Sequence, residues 1–562
     1  MDTRVSLFLL LDYKTYYGVD KTLDDAVELI RDIPSATLIN YVSGFNANLY
    51  LHDNDDSTGK IQFQLVNSLL GKCDAKELEK WRNVVMQESS KGFMPIMFYN
   101  YSNLLFYNVI FENYNNKQTR DLTSDEAKSV FDAYLIINGI VNNKYNIDYE
   151  TFQDEIKNGN VENVTITNFI YQRDYSSTLD FNNQINRGKA FFDYLENDVC
   201  YKNSIHDYYK IKHVKGWQRM YKAILFVIAK MRINENQRCQ MVDLSYEIQN
   251  KLLDEQYLDT LCVNDKITDY SDDVSFKTLR ETPLYKFDNY RYFVLDVNFL
   301  FDQFYKNQVF SFSAFLKQKG EKKDFLSDKG KHFVEETYLP KIINQCFPRY
   351  IRYYNDDCKD SHCEELCDAY IRENSKICII ECKDVLLKAE IKNSGDRKML
   401  FDEFDKKFVK NEKGKQKGIT QLFNAIIDIN DNSISFDKDI PNGVLEIYPI
   451  VIYTDNSFGI DGLNKYYRKL FEKKIEATKI QVKVNPIVFI NLSYFEMHCE
   501  YYSNNHLNIW NIIDKYHDYI KDEKYKLTPF EIYSRLYMNL FVPDDISLSN
   551  SFQKNFSLIM NS

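Results

Sequence analysis

The sequence predicts an α/β protein: a mixed β-sheet flanked by helices in the C-terminal half, joined to a large, mainly α-helical N-terminal region. Three observations predict it. Two β-branched blocks, Pro449–Tyr453 and Pro486–Ile490, are short and continuously apolar, as strands buried on both faces are. The segment between them, Leu463–Glu476, is long enough for the crossover helix that parallel strands require. Upstream, Tyr350–Tyr354, Glu365–Ile371 and Ile377–Lys383 are strand-like runs separated by polar turns, with Asn374-Ser375 in the last turn.

The other elements follow in order. Residues 1–310 read as mainly helical. Thr22 or Asp24 can cap a helix through Ala26–Ile30 that stops at Pro34, and Ala75–Met86 is amphipathic. Thr123–Glu126 opens a helix whose Ala127, Val130, Phe131, Tyr134 and Ile137 recur at helical spacing, and Trp217–Met231 predicts another. Tyr292–Leu295 reads as a strand. Near residue 325 the pattern changes. Gly330–Cys346 is one amphipathic segment kinked at Pro340, Arg397–Val409 and Ile419–Ile429 are helices, and Asp431–Asp439 is a polar loop. Each apolar block opens on a proline, which a strand tolerates at its first residue. After Tyr501 the chain is helical again. The expected division is a recognition or partner-binding region at 1–310, a sheet domain at 325–495 and a helical extension at 500–562.

Composition bounds the function classes. The chain has 562 residues, so two to four domains are expected, and only 17 Gly and 10 Pro, which favours long elements. Its net charge of −11 argues against nucleic-acid binding by the chain as a whole. Charge acts locally, however: Lys383–Lys417 holds eleven Lys/Arg against seven Asp/Glu, a net of +4. No run reaches the roughly 20 apolar residues of a membrane span. The start lacks the basic region of a signal peptide, so the eleven cysteines are expected as reduced thiols in a cytoplasmic protein.

The chemistry-bearing feature is Ile377-Cys378-Ile379-Ile380-Glu381-Cys382-Lys383. Alternate residues of a strand share a face, so Glu381 and Lys383 point one way and Cys382 the other. If Leu366–Ile371 pairs with this run across the Asn374-Ser375 turn, Asp368 lies near Glu381. Two carboxylates and an amine then converge at the end of a buried sheet, where charges are costly unless they pair or hold a metal. Glu-x-Lys alone carries nothing: it recurs at Glu126/Lys128, Glu155/Lys157, Glu321/Lys323, Glu390/Lys392 and Glu472/Lys474. Only at Glu381 is it preceded by a buried-strand pattern and an acidic residue in a partner strand. The plain alternative is a strand-end ion pair between Glu381 and Lys383.

In this order of elements, Asp368 followed by Glu381-x-Lys383 resembles the PD-(D/E)xK nuclease superfamily, over about residues 325–495. The resemblance departs from the family at Cys367, where "PD" would place proline. It implies a restriction-endonuclease-like fold and hydrolysis of phosphodiester bonds, with DNA favoured over RNA. It also implies Mg²⁺, or Mn²⁺ in its place, held by Asp368 and Glu381 with the Cys382 carbonyl, and a Lys383 that orients the attacking water. A glutamate on the first helix, Glu335 or Glu336, would bind a second ion or orient water, and Gln421 on the helix after the third strand would position the phosphate. Such domains fused to a helical region are frequent in bacterial anti-phage defence and restriction. The N-terminal region would then recognise a protein partner, a signal, nucleic acid or a second copy.

Competing signals are weaker. Cys358, His362, Cys363, Cys367, Cys378 and Cys382 lack the paired C-x2-C spacing of a zinc site. Ser57-Thr58-Gly59-Lys60 imitates the tail of a phosphate-binding loop without its first glycine, and reads as an ordinary loop. A catalytically silent nucleic-acid-binding scaffold and a helical interaction protein with a purely structural sheet are the remaining alternatives.

Overall fold

The computed structural model describes residues 7–51, 58–91, 93–143, 165–166, 181–233, 241–271, 275–359, 366–441, 443–539 and 550–562. They form two compact units: the N-terminal unit takes the described residues within 7–143, 181–319 and 551–562, and the C-terminal unit those within 165–166 and 320–550. The protein is mixed α/β, as its patterning predicts, with one mixed sheet in the C-terminal unit.

The N-terminal unit is helical with two small sheets. Strands β1 (Leu7–Leu10) and β2 (Phe93–Ile96) pair in parallel. Strand β3 (Met241–Asp243) and β4 (Leu284–Lys286) flank β5 (Arg291–Val294) in antiparallel fashion. Local signals set the helices. Thr22 caps Leu23–Ile30 in a reciprocal box with Asp25, and Ser124–Asn143 turns Ala127, Val130, Phe131 and Tyr134 into the core. Thr58–Lys60, expected as loop, instead open the helix Thr58–Leu70; Ser57 lies outside the described residues. No helix among the described residues is long and apolar enough to cross a membrane.

In the C-terminal unit, the π-helix Lys329–Tyr338 runs into the α-helix Leu339–Cys346. Strands β6 (Ile351–Tyr354), β7 (Ala369–Glu373) and β8 (Lys376–Lys383) follow, then helices Arg397–Phe408 and Gly418–Asn430. Strand β9 (Glu446–Tyr453), helix Leu463–Glu476, and strands β10 (Lys483–Val484) and β11 (Val488–Asn491) complete the sheet. Its order is β10-β9-β8-β7-β6, with β11 also on β9. The meander β6-β7-β8 is antiparallel, while β8, β9 and β11 are parallel. Strand β8 is therefore central and its residues from Ile377 onward are all buried.

Several expectations are corrected. Pro449 is not the first residue of its strand but lies inside β9. On that side β10 pairs Glu446 and Ile447 while β11 pairs Ile450 to Tyr453. Pro449 falls in the gap between the two partners, where a missing ladder donor costs least. Strand β7 begins at Ala369, so Asp368 precedes it, although the Asp368 N–H still donates to the Ile380 carbonyl at 3.0 Å. The kink expected at Pro340 is a change of helix type: the π-helix ends at Tyr338 and Pro340 sits in the first turn of the α-helix, where its missing N–H is tolerated. Residues 500–562 do not form one extension. Trp510, on helix Ile509–Tyr519, donates to Glu373 at 2.7 Å, and helix Phe530–Asn539 packs on β11. The last helix, Asn550–Met560, leads to Ser562, which accepts from Lys222 of the N-terminal unit at 2.8 Å. Thr165, in the part expected as N-terminal, donates to the Asp461 carbonyl of the C-terminal unit at 3.1 Å.

The polar loop after Asn430 contributes a buried anchor. Asp437 accepts from Arg372 through Nε at 2.5 Å and Nη2 at 2.9 Å, and from the Tyr370 hydroxyl at 2.9 Å. Removing one partner of such a pair strands the other charge. Asp437→Ala is therefore expected to lower unfolding free energy by about 3–5 kcal/mol in denaturant titration. Arg372→Met added to Asp437→Leu is expected to recover most of it.

His517, on helix Ile509–Tyr519, is held down at about 4 by burial and by Arg468. The folded state thus binds this proton less readily than the unfolded chain. Stability is expected to be full above the ordinary value of 6.5 and to fall as pH drops through about 4. The loss is on the order of 3 kcal/mol, and His517→Leu should flatten that limb of the pH–stability curve.

Candidate functional site

The site is built by the β7–β8 hairpin. Asn374 takes the left-handed conformation at φ +55°, which asparagine tolerates, and Glu373 pairs with Lys376 across the two-residue turn. The register then sets Ala369 opposite Ile380. Just before the strand, the Asp368 N–H donates to the Ile380 carbonyl at 3.0 Å, which holds Asp368 at the Glu381 end of β8. Lys383 lies two residues beyond Glu381 and shares its face.

The side chains meet there. Lys383 Nζ donates to Glu381 Oε2 at 2.6 Å and stands 4.0 Å from Asp368 Oδ2. Asp368 Oδ2 also accepts from the Cys382 N–H at 2.6 Å. Asp368, Glu381 and Lys383 are 7%, 1% and 8% exposed, so the charges face one another rather than water. Cys382 is buried on the opposite side of the strand.

The electrostatics follow from burial. Desolvation, with the Asp368 charge opposite, pushes the Glu381 carboxyl up to about 8, and Lys383 only partly offsets this. Burial pulls the Lys383 amine down, but Glu381, Asp368 and Glu335 together outweigh it and hold it above the ordinary lysine range. Glu335 and Glu336 part company. Glu335 is half-buried on the π-helix and its charge reaches Glu381 and Lys383. Glu336 is exposed, bonding His332 Nδ1 at 2.6 Å with Lys331 3.8 Å away.

Gln421 is spent differently from the expectation. Its Oε1 accepts from the Gly418 N–H at 2.8 Å, so it serves the start of helix Gly418–Asn430. Two residues that motif reasoning passed over, Lys329 and Asp384, frame the site together with Lys417, the last residue of the locally basic segment. Buried Lys329 forms an ion pair with Asp384, next in chain to Lys383, and Asp384 accepts from Thr454 Oγ1 at 2.6 Å. Lys417, just before the helix that packs on β8, is half-buried; burial and the Lys383 charge hold its amine below the ordinary range. The adjacency of Asp384 to Lys383 was a usable signal for one of them.

An oxygen-only set of Asp368 and Glu381, with Glu335 nearby, has the donor chemistry of a hard divalent cation. Such a cation would relieve the like-charge repulsion that raises Glu381. Among the described residues no group of three or more His, Cys, Asp or Glu is arranged to hold a metal ion. Cys358, Cys367, Cys378 and Cys382 are separate buried thiols; His362 and Cys363 lie outside the described residues. No protein-family model matches this chain, and neither a curated protein nor a solved structure matches it significantly.

Asp368→Asn keeps an acceptor for the Cys382 N–H and removes the like charge. Glu381 is then expected to titrate below about 8 in carboxyl NMR, with no fall in the metal-free unfolding midpoint. A loss above about 1 kcal/mol would mark Asp368 as part of a structural ion-pair network instead.

Proposed function

We propose that the C-terminal unit is a Mg²⁺-dependent nuclease of restriction-endonuclease-like fold that hydrolyses phosphodiester bonds. The observation that carries this reading is the burial of Asp368 opposite Glu381 with Lys383 on the same face of a central sheet. Burial of like-charged carboxylates is costly without a cation to hold. Perturbed acid groups with a specific charge partner are marks of functional sites.

In this reading Asp368 and Glu381 hold the cation. When bound, Mg²⁺ supplies Lewis acidity and a water of lowered pKa. Lys383 is charged and rigidly placed by its hydrogen bond to Glu381. It orients the attacking water and stabilises negative charge developing on the phosphate. Glu335, whose charge reaches Glu381 and Lys383, orients water. DNA is favoured over RNA by the family resemblance alone, as is a role in anti-phage defence or restriction, with the helical N-terminal unit recognising a partner or signal.

A second reading is favoured by one observation: both Glu381 and Gln421 are already engaged within the chain. It is a catalytically silent scaffold that binds nucleic acid.

Purified chain is expected to cleave DNA or RNA in Mg²⁺ or Mn²⁺ and to lose this in EDTA. Lys383→Ala and Asp368→Ala should each lower the rate by at least about 100-fold with unchanged circular dichroism. Equal cleavage by both variants contradicts the site. Binding without cleavage in any divalent metal favours the scaffold.

A further inference from the structure

Three lysines surround the carboxylate cluster, and they differ in how they are satisfied. Lys383 is bonded to Glu381, and Lys329 is paired with Asp384. Lys417 makes no ion pair and no side-chain hydrogen bond among the described residues, although it is half-buried. A part-desolvated ammonium without a counter-ion is costly.

Its placement is fixed by backbone contacts. The Lys417 N–H donates to the Val409 carbonyl at 2.9 Å, and Gly418 begins a helix packed on β8. Gly418 itself takes φ +38°, and a Cβ there would come within 2.9 Å of the Phe408 carbonyl. Glycine at this position lets the chain pass close to Phe408 as it enters the helix that packs on β8, and Lys417 is the residue just before that turn. The lysine lies within electrostatic reach of Glu335, Glu381 and Lys383, without contacting any of them as a partner.

We infer that Lys417 is the residue that receives a non-bridging phosphate oxygen of the bound nucleic acid. This rests on the nuclease reading of the same site and assigns to Lys417 the role that Gln421 was expected to fill. The bound strand supplies the anion that the ammonium lacks, and a phosphate between Lys417 and Lys383 sits against the carboxylate pair. A charge-assisted contact of this kind is strong and monodentate, since an ammonium acts as a point charge.

The test measures full-length wild type, Lys417→Ala and Lys417→Arg with a fluorescent DNA duplex, single-stranded DNA and single-stranded RNA. Binding is followed in Ca²⁺ across a salt series and cleavage in Mg²⁺, with unfolding midpoints checking the fold. Lys417→Ala is expected to weaken binding about tenfold, with the duplex salt slope reduced by about 0.9. Lys417→Arg should retain the slope. If the wild type cleaves and Lys417→Ala matches it in affinity, slope and rate, the inference is overturned while the nuclease reading stands. If the wild type binds without cleaving and Lys417→Ala lowers affinity and slope, the contact is supported and the catalytic reading fails. If the wild type neither binds nor cleaves any of the probes, both fall together.

Discussion

Two carboxylates that face each other out of water are the constraint on which the C-terminal unit turns. Asp368 and Glu381 are both more than nine-tenths buried, and the chain brings them together by hairpin register. An isolated charge in that position would cost several kcal/mol. The protein responds in three ways visible around the pair. Glu381 holds its proton to about 8, Lys383 lies between the two acids, and a backbone N–H is given to Asp368. The first of these removes the like charge itself below a pH of about 8. In the proposed nuclease reading a cation takes the place of that proton, and this is what would separate a site from an ordinary strand-end ion pair.

The rest of the unit holds this arrangement still. Strand β8 lies between an antiparallel neighbour that delivers Asp368 and a parallel neighbour, β9, that fixes its other edge. The π-helix is tied to the strand end by Lys329 on Asp384, while Thr454 at the end of β9 holds the other oxygen of Asp384. Gly330 lies beside this pair, where a Cβ would make ordinary van der Waals contact with the Asp384 carboxylate at 3.5 Å. Mid-helix π geometry is uncommon and tends to occur at functional positions. Here it carries Glu335, not Glu336, toward the cluster.

What the sequence makes legible is what short-range rules govern. The shared face of Glu381 and Lys383 follows from the two-residue period of a strand, and the crossover Leu463–Glu476 from helical spacing between two apolar blocks. The Asn374 turn sets the hairpin register that sequence reasoning relied on for Asp368, yet the strand starts after that residue, which is held instead by the Ile380 carbonyl and the Cys382 N–H. Other features depend on contacts between distant segments. Pro449 fits inside β9 because β10 gives way to β11 at that point, which no local pattern encodes. The π-helical register of Lys329–Tyr338 has no signature in apolar spacing. Gln421 had the right position for a ligand contact, but its oxygen was claimed by Gly418 three residues away. Lys417 looked like one of many surface lysines, and only the folded chain brings it within electrostatic reach of Glu381 and Lys383.

The claim that the Asp368–Glu381 pair is a cation site is tested most directly by crystals of the chain soaked in Mn²⁺, read by anomalous scattering. The expected result is a peak shared by the two carboxylates, lost in Asp368→Asn crystals. A map without a peak there at millimolar Mn²⁺, with Lys383 still bonded to Glu381, would contradict it and leave the cluster as a buried structural ion pair.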